Sequence, residues 1–149
     1  MTDAGQTDRE PRHPDLLRLI EYWRSKRGTR RFPSRADLDP LDLGFMLGRI
    51  ALTEVHEEPR RYRLRLVGSW WAALVGFEST GMWLEDWPNA NQRKLTAETY
   101  ETLIAARRPL CAQRDAWVDD QKLDYEILLL PLSDDDSRIS MIVTGIGPG

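Results

Sequence analysis

Apolar positions along this chain change their spacing several times, and each change marks an element. Leu16, Leu19, Ile20 and Trp23 recur at i, i+3, i+4 and i+7, the spacing of one helix face. Pro14 suits a first helical position, Asp15 and Glu21 precede Arg24, Lys26 and Arg27 as the helix dipole favours, and Gly28 ends the run. An amphipathic helix is therefore predicted over 14–27. Asp39-Pro40 repeats the cap-and-proline start for a short helix ending near Gly48. Residues 1–12 hold almost nothing apolar and are expected to be a disordered tail, with one domain over 13–149.

From Arg49 the period falls to two. Ile50, Leu52 and Val55 mark one strand. Glu57-Glu58-Pro59 turns, and Arg61-Tyr62-Arg63-Leu64-Arg65-Leu66 alternates for a second, with Tyr62, Leu64 and Leu66 facing the core. Gly68 ends that hairpin and Ser69 is placed to cap a short helix, Trp70 to Val75, closed by Gly76. After a break at Gly81, Asn91 opens the longest helix, to Ala106, and Pro109 stops it. Three strands complete the chain: Leu110–Val118, Leu123–Leu132 and Ile139–Ile146, joined by turns at Asp119–Lys122 and Ser133–Asp136. Tyr125, Ile127 and Leu129 form one face of the middle strand, yet Leu128, Leu130 and Leu132 make the other face apolar too. A strand of that kind is central and covered on both sides.

Five strands without βαβ alternation imply an α+β domain built on an antiparallel sheet. An N-terminal helix precedes the sheet, and short helices plus the longer one fall between strands two and three.

Composition narrows the chemistry. The 149 residues are 41% hydrophobic and 30% charged, with 21 cations against 24 anions. That balance excludes a disordered polyelectrolyte and gives no global reason to expect nucleic acid. Cys111 is the only cysteine and His13 and His56 the only histidines, so an intramolecular disulfide is excluded and no metal site is expected. An acidic, polar N-terminus and the lack of a long apolar run lead us to expect a cytoplasmic protein without membrane contact. Six Trp against three Phe is the unusual feature.

Tyr22-Trp23 with Arg27-Gly28, Pro33-Ser34-Arg35 with Asp39-Pro40, and Arg63 through Ser69 resemble, in order, the PAS domain, and more narrowly a short bacterial family of single-domain PAS-like proteins. Val75-Gly76-Phe77 to Thr80-Gly81-Met82 and Leu129 through Ser133 extend the resemblance over residues 15–146. It implies a non-enzymatic sensor and interaction module in signal transduction, acting through a protein partner or as a homodimer. A small-molecule pocket would lie between sheet and helices. The aromatic group Trp70, Trp71, Met82, Trp83 and Trp87 falls at the implied pocket wall. With Tyr62, Leu64, Leu74, Leu103, Trp117 and Tyr125 it makes a candidate site for a small hydrophobic or aromatic metabolite, against the plainer reading of a packed core. Leu16, Leu19, Ile20 and Trp23 are the candidate dimer or partner surface.

No cofactor is expected. Flavin photosensors of this fold use a cysteine in a helix, whereas Cys111 opens a strand, and the haem-binding sensors use a histidine from the long helix, which here has none. The basic run from Arg24 to Arg35 could meet phosphates. Its plainer use is a helix C-terminus and a solvated crossing, with Arg30 or Arg35 paired to Asp37, Asp39 or Asp42. For an enzyme or carrier on the same scaffold, the candidate carboxylates are Asp115, Asp119, Asp120, Asp124 and Glu126 around one hairpin, without the histidine or lysine partner that acid–base chemistry needs.

Overall fold

The computed structural model describes residues 2–7, as backbone, and residues 9–149. Its strands are β1 (Thr2–Thr7), β2 (Ile50–His56), β3 (Arg61–Val67), β4 (Leu110–Val118), β5 (Gln121–Leu132) and β6 (Met141–Pro148). All neighbours run antiparallel in the order β1-β4-β5-β6-β2-β3. The helices are α1 (Pro14–Arg27), α2 (Ser69–Val75) and α3 (Ala90–Ala106), with 3-10 turns at Arg35–Asp37, Pro40–Met46 and Leu84–Asp86. The predicted five-stranded α+β sheet is present, with one strand added.

That added strand is β1. Thr2–Thr7 pair with β4 where the sequence predicts a tail; Met1 and Asp8 lie outside the described residues. Edge pairing uses backbone N–H and C=O groups, so a polar segment without an apolar pattern can add to an open strand. The stretch between β1 and α1 is tied down as well. The Glu126 carboxylate accepts from the backbone N–H of Arg12 at 2.9 Å and of His13 at 2.8 Å, and from Arg9 Nη1 at 2.5 Å.

α1 lies on one face of the sheet. His13 Nδ1 accepts from Asp15 N, Pro14 opens the helix, and Leu16, Leu19, Ile20 and Trp23 are buried. Glycines on β6 make the close approach: a Cβ at Gly145 would stand 2.7 Å from Leu19 Cδ2, and one at Gly147 would stand 2.6 Å from His13. Trp23 Nε1 donates to the carbonyl of Pro131 on β5 at 2.8 Å, which fixes the far end of the helix. The candidate dimer stripe is therefore covered within the chain, because β5 and β6 supply the apolar surface it needs.

The opposite face carries α2, α3 and the segment between them. Tyr125, Ile127 and Leu129 of β5 face this layer, and Leu128, Leu130 and Leu132 are buried on the α1 side. Several local expectations change. The sheet register shifts between Leu52 and Thr53, so that Arg65 bulges, Leu66 turns outward at 46% exposure and Val67 packs on the core instead. The β4–β5 turn needs only Asp119 and Asp120, both at positive φ (50° and 63°), a conformation that Asp tolerates better than most residues. Asn89, rather than Asn91, caps α3 by accepting from Gln92 N at 3.0 Å, and Gly68 stands at the cap of α2 with Ser69 in its first turn.

Candidate functional site

Between the sheet and the α2–α3 layer lies a cavity of about 60 Å³. Its floor is Leu64 and Val67 of β3, Arg114 of β4, Tyr125, Ile127 and Leu129 of β5, Thr144 of β6 and Ala51 of β2. Trp71 and Val75 of α2, Ser79 and Trp87 of the connecting segment, and Leu95, Thr96, Thr99 and Tyr100 of α3 close the roof.

The wall is apolar by area but not by chemistry. Trp71 Nε1, Trp87 Nε1, Ser79 Oγ, Tyr125 Oη and Thr144 Oγ1 are all buried without a hydrogen-bond partner. A buried polar atom whose bond is left unmade costs about 1–3 kcal/mol. Each of the five belongs to a residue that lines the cavity, and none finds a partner within the chain.

Other polar groups of the wall are satisfied. Arg114, 2% exposed, donates from Nη2 to Thr99 Oγ1 at 3.1 Å, and Thr99 in turn donates to the Leu95 carbonyl. Tyr100 shares a 2.8 Å hydrogen bond with Thr53, and burial pushes its hydroxyl up to about 12. Burial likewise raises Tyr125 to about 12, with Arg114 pulling it down and Asp115 pushing it up. Both phenols are protonated at neutral pH.

Of the candidate pocket residues, Leu64, Trp71, Trp87 and Tyr125 line the cavity. The others are elsewhere. Leu74 and Leu103 are buried in the core beside it, and Met82 packs against that core. Tyr62 lines a separate surface groove and donates to Glu101, which with burial raises its hydroxyl further. Trp83 stacks under the Arg61 guanidinium at 3.8 Å and beside His56 at 5.0 Å. Trp70 is 39% exposed and Trp117 69% exposed, because each points away from the sheet on its element's outer side. The expected aromatic wall thus reduces to Trp71, Trp87 and Tyr125. At 60 Å³ the cavity is under half the roughly 150 Å³ that holds benzene, so an aromatic metabolite does not fit this conformation.

Sequence reasoning does not single out Arg114, Ser79, Thr99, Tyr100 or Thr144. Arg114 carries a readable signal: it shares the phase of Leu110, Ala112 and Ala116, an otherwise apolar face of β4. Ser79 carries none.

The candidate carboxylates do not converge. Asp115 and Asp124 flank Lys122 at 3.6 and 3.7 Å, and Asp119 and Asp120 form the turn. Glu126 points to the α1 side, where its oxygens hold the N-terminal segment; among the described residues no Asp, Glu, His or Cys lines the cavity. Cys111 donates to Glu126 at 3.3 Å, and burial followed by that contact pushes its thiol up to about 12. Among the described residues no cluster of His, Cys, Asp or Glu could hold a metal, and no helix is long and apolar enough to cross a membrane. The basic run is used locally. Arg24 pairs with Glu10 and Glu21, and Arg30 with Asp37 at 2.7 Å.

A family model described as PAS domain matches residues 11–146, nearly the whole chain. The protein belongs to the PAS domain family. PAS domains are generally sensory and interaction modules, and the cavity lies between the PAS sheet and its helices. No curated protein sequence matches. Among solved structures, the chain is similar to a variant of RsLOV at 14% identity and a TM-score of 0.46, covering 68% of this chain and 61% of that one. It is similar to the PAS domain of Bordetella pertussis BvgS at 18% identity and a TM-score of 0.43, covering 66% and 72%. It is also similar to an RNA-binding light-oxygen-voltage receptor at 12% identity and a TM-score of 0.43, covering 67% and 29%. The chain thus spans less than two thirds of the first and third of these proteins.

Proposed function

We propose that this PAS domain is a non-enzymatic sensor in signal transduction, whose input is a small molecule in the sheet–helix cavity and whose output passes to a protein partner. The observation that carries this reading is the cavity between the sheet and the α2–α3 layer, five of whose lining residues keep a buried polar atom without a partner in the chain. Catalysis has little support: among the described residues the lining offers no acid, histidine or thiol, and its Tyr125 hydroxyl, raised to about 12, is no base near neutral pH. Signal would reach the surface through α2 and the 76–89 segment, because the roof residues Trp71, Ser79 and Trp87 stand on them.

Thermal unfolding of the full chain across a panel of small polar and apolar metabolites, followed by amide hydrogen exchange with any compound that binds, tests the proposal. A ligand at 100 times its Kd stabilises by about 2.7 kcal/mol, and slower exchange is expected in α2 and around Ser79 and Trp87. A panel in which no compound raises the midpoint would overturn it.

A further inference from the structure

On one side the sheet ends at β1, and β1 is a weak strand. It pairs with β4 through Thr2↔Asp115 and Asp3↔Arg114, then Gln6↔Ala112 and Thr7↔Cys111, with the register broken between Asp3 and Gln6. Asp3, Ala4 and Gly5 at that break are residue types that strands disfavour, and a glycine offers nothing to pack. The edge beneath it is only partly used. Beyond Asp115, the residues Ala116–Val118 of β4 have no outer neighbour among the described residues, and there Trp117 is the most exposed aromatic side chain at 69%. Tryptophan is among the residues most enriched at binding hot spots, and this one stands at an open strand end.

Release of β1 leaves the rest of the fold tied. The Glu126 carboxylate grips the chain just behind it, at Arg9 and at the backbone N–H groups of Arg12 and His13, and His13 caps α1. The seat of α1 on β5 and β6 therefore does not depend on β1.

We propose that the outer edge of β4 is a docking site for an extended strand of a partner protein, which displaces β1 and sets an aromatic or β-branched residue against Trp117. β1 itself shows that this edge accepts an antiparallel segment through backbone bonds. A longer strand keeps that pairing and adds a contact on the open side of Trp117. The site is separate from the cavity, so it stands or falls apart from the sensor reading.

The probe is a capped heptapeptide of alternating threonine and valine with a central tyrosine. It is titrated into the isotope-labelled full chain and followed by nitrogen–proton correlation spectroscopy and amide hydrogen exchange. Saturable movement is expected of the β4 amides and of the indole signal that Trp117→Thr deletes. Exchange should quicken at residues 2–7, while the Trp23 indole, bonded to Pro131, stays unmoved as the check on folding. Trp117→Thr, at an exposed position, should weaken the peptide about tenfold. Gln6→Pro removes a donor from the competing strand, whose short connection holds it at an effective concentration of millimolar order, and should tighten the peptide about tenfold. Binding that leaves residues 2–7 protected, equal binding of a peptide with proline at alternate positions, or a parent chain that dimerises in place of binding would overturn the proposal. So would a Trp117 signal unmoved by the peptide in both the parent and Gln6→Pro.

Discussion

Replacing Glu126 with Gln tests how the N-terminal segment is held. Glu126 lies on β5 with its side chain 5% exposed, and its carboxylate accepts from His13 N at 2.8 Å, Arg12 N at 2.9 and 3.0 Å, Arg9 at 2.5 Å and the Cys111 thiol at 3.3 Å. Gln keeps the shape but carries one acceptor oxygen and turns an NH₂ toward groups that are themselves donors. Hydrogen bonds to a charged acceptor contribute about 1.5–3 kcal/mol against about 0.5–1.5 for neutral ones. Over the two backbone N–H groups and Arg9 the loss is roughly 1 kcal/mol each, with the partly exposed Arg9 pair discounted for screening. Glu126→Gln should therefore lose about 2–3 kcal/mol in urea unfolding followed by far-ultraviolet circular dichroism. For a domain of this length that is a midpoint lower by roughly 4–12 °C.

The same carboxylate predicts a pH dependence. Burial alone would raise it, but the N–H groups of His13 and Arg12, the Arg9 guanidinium and the Cys111 thiol together hold it below its ordinary 4.5. A carboxyl more acidic in the folded chain than in the unfolded one stabilises fully above the unfolded value. That stabilisation is lost as pH falls through the folded value. The difference between parent and Glu126→Gln should thus be constant above about pH 5.5 and shrink below 4.5. A difference under about 0.5 kcal/mol at pH 7, or one that does not narrow in acid, would refute the anchoring role.

Gly145→Ala puts a Cβ 2.7 Å from Leu19 Cδ2 and 3.1 Å from Met46 Cε, and since these are side-chain ends that can shift, about 1–3 kcal/mol of destabilisation is expected by the same assay. Trp23→Phe leaves the Pro131 carbonyl without its indole donor and should cost about 1–3 kcal/mol, whereas loss of under half that would show the bond to be replaceable. Cys111, with its thiol raised to about 12 by burial and then by Glu126, should react with a disulfide reagent at pH 8 only as fast as the chain opens, so fast labelling of the native protein would contradict its burial under the N-terminal segment.

Period and capping are enough to read the sheet, because both survive locally. The alternation of β5 identifies its two covered faces, and the 16–23 stripe with its proline start defines α1 to its ends. Three features are not legible, each for a physical reason. β1 pairs through backbone groups that leave no apolar pattern. A strict period of two assigns Leu66 inward, and the bulge at Arg65 that reverses it depends on the register against β2. Sequence proximity groups the Trp residues, but α2 spans only Ser69–Val75 and sends Trp70 and Trp71 in different directions, to solvent and to the cavity. Proximity along a short helix does not make a cluster.

The two faces of the sheet solve the same problem differently. On the α1 face the large polar groups find partners inside the chain: the Trp23 indole reaches Pro131, and Glu126 collects four donors. On the α2–α3 face two further indoles and three hydroxyls, equally buried, reach none. Sequence could have satisfied them, since Tyr100 on the same face is matched by Thr53 and Arg114 by Thr99. Chemistry able to pair a buried hydroxyl is therefore available in this layer and is not applied to the five groups around the cavity.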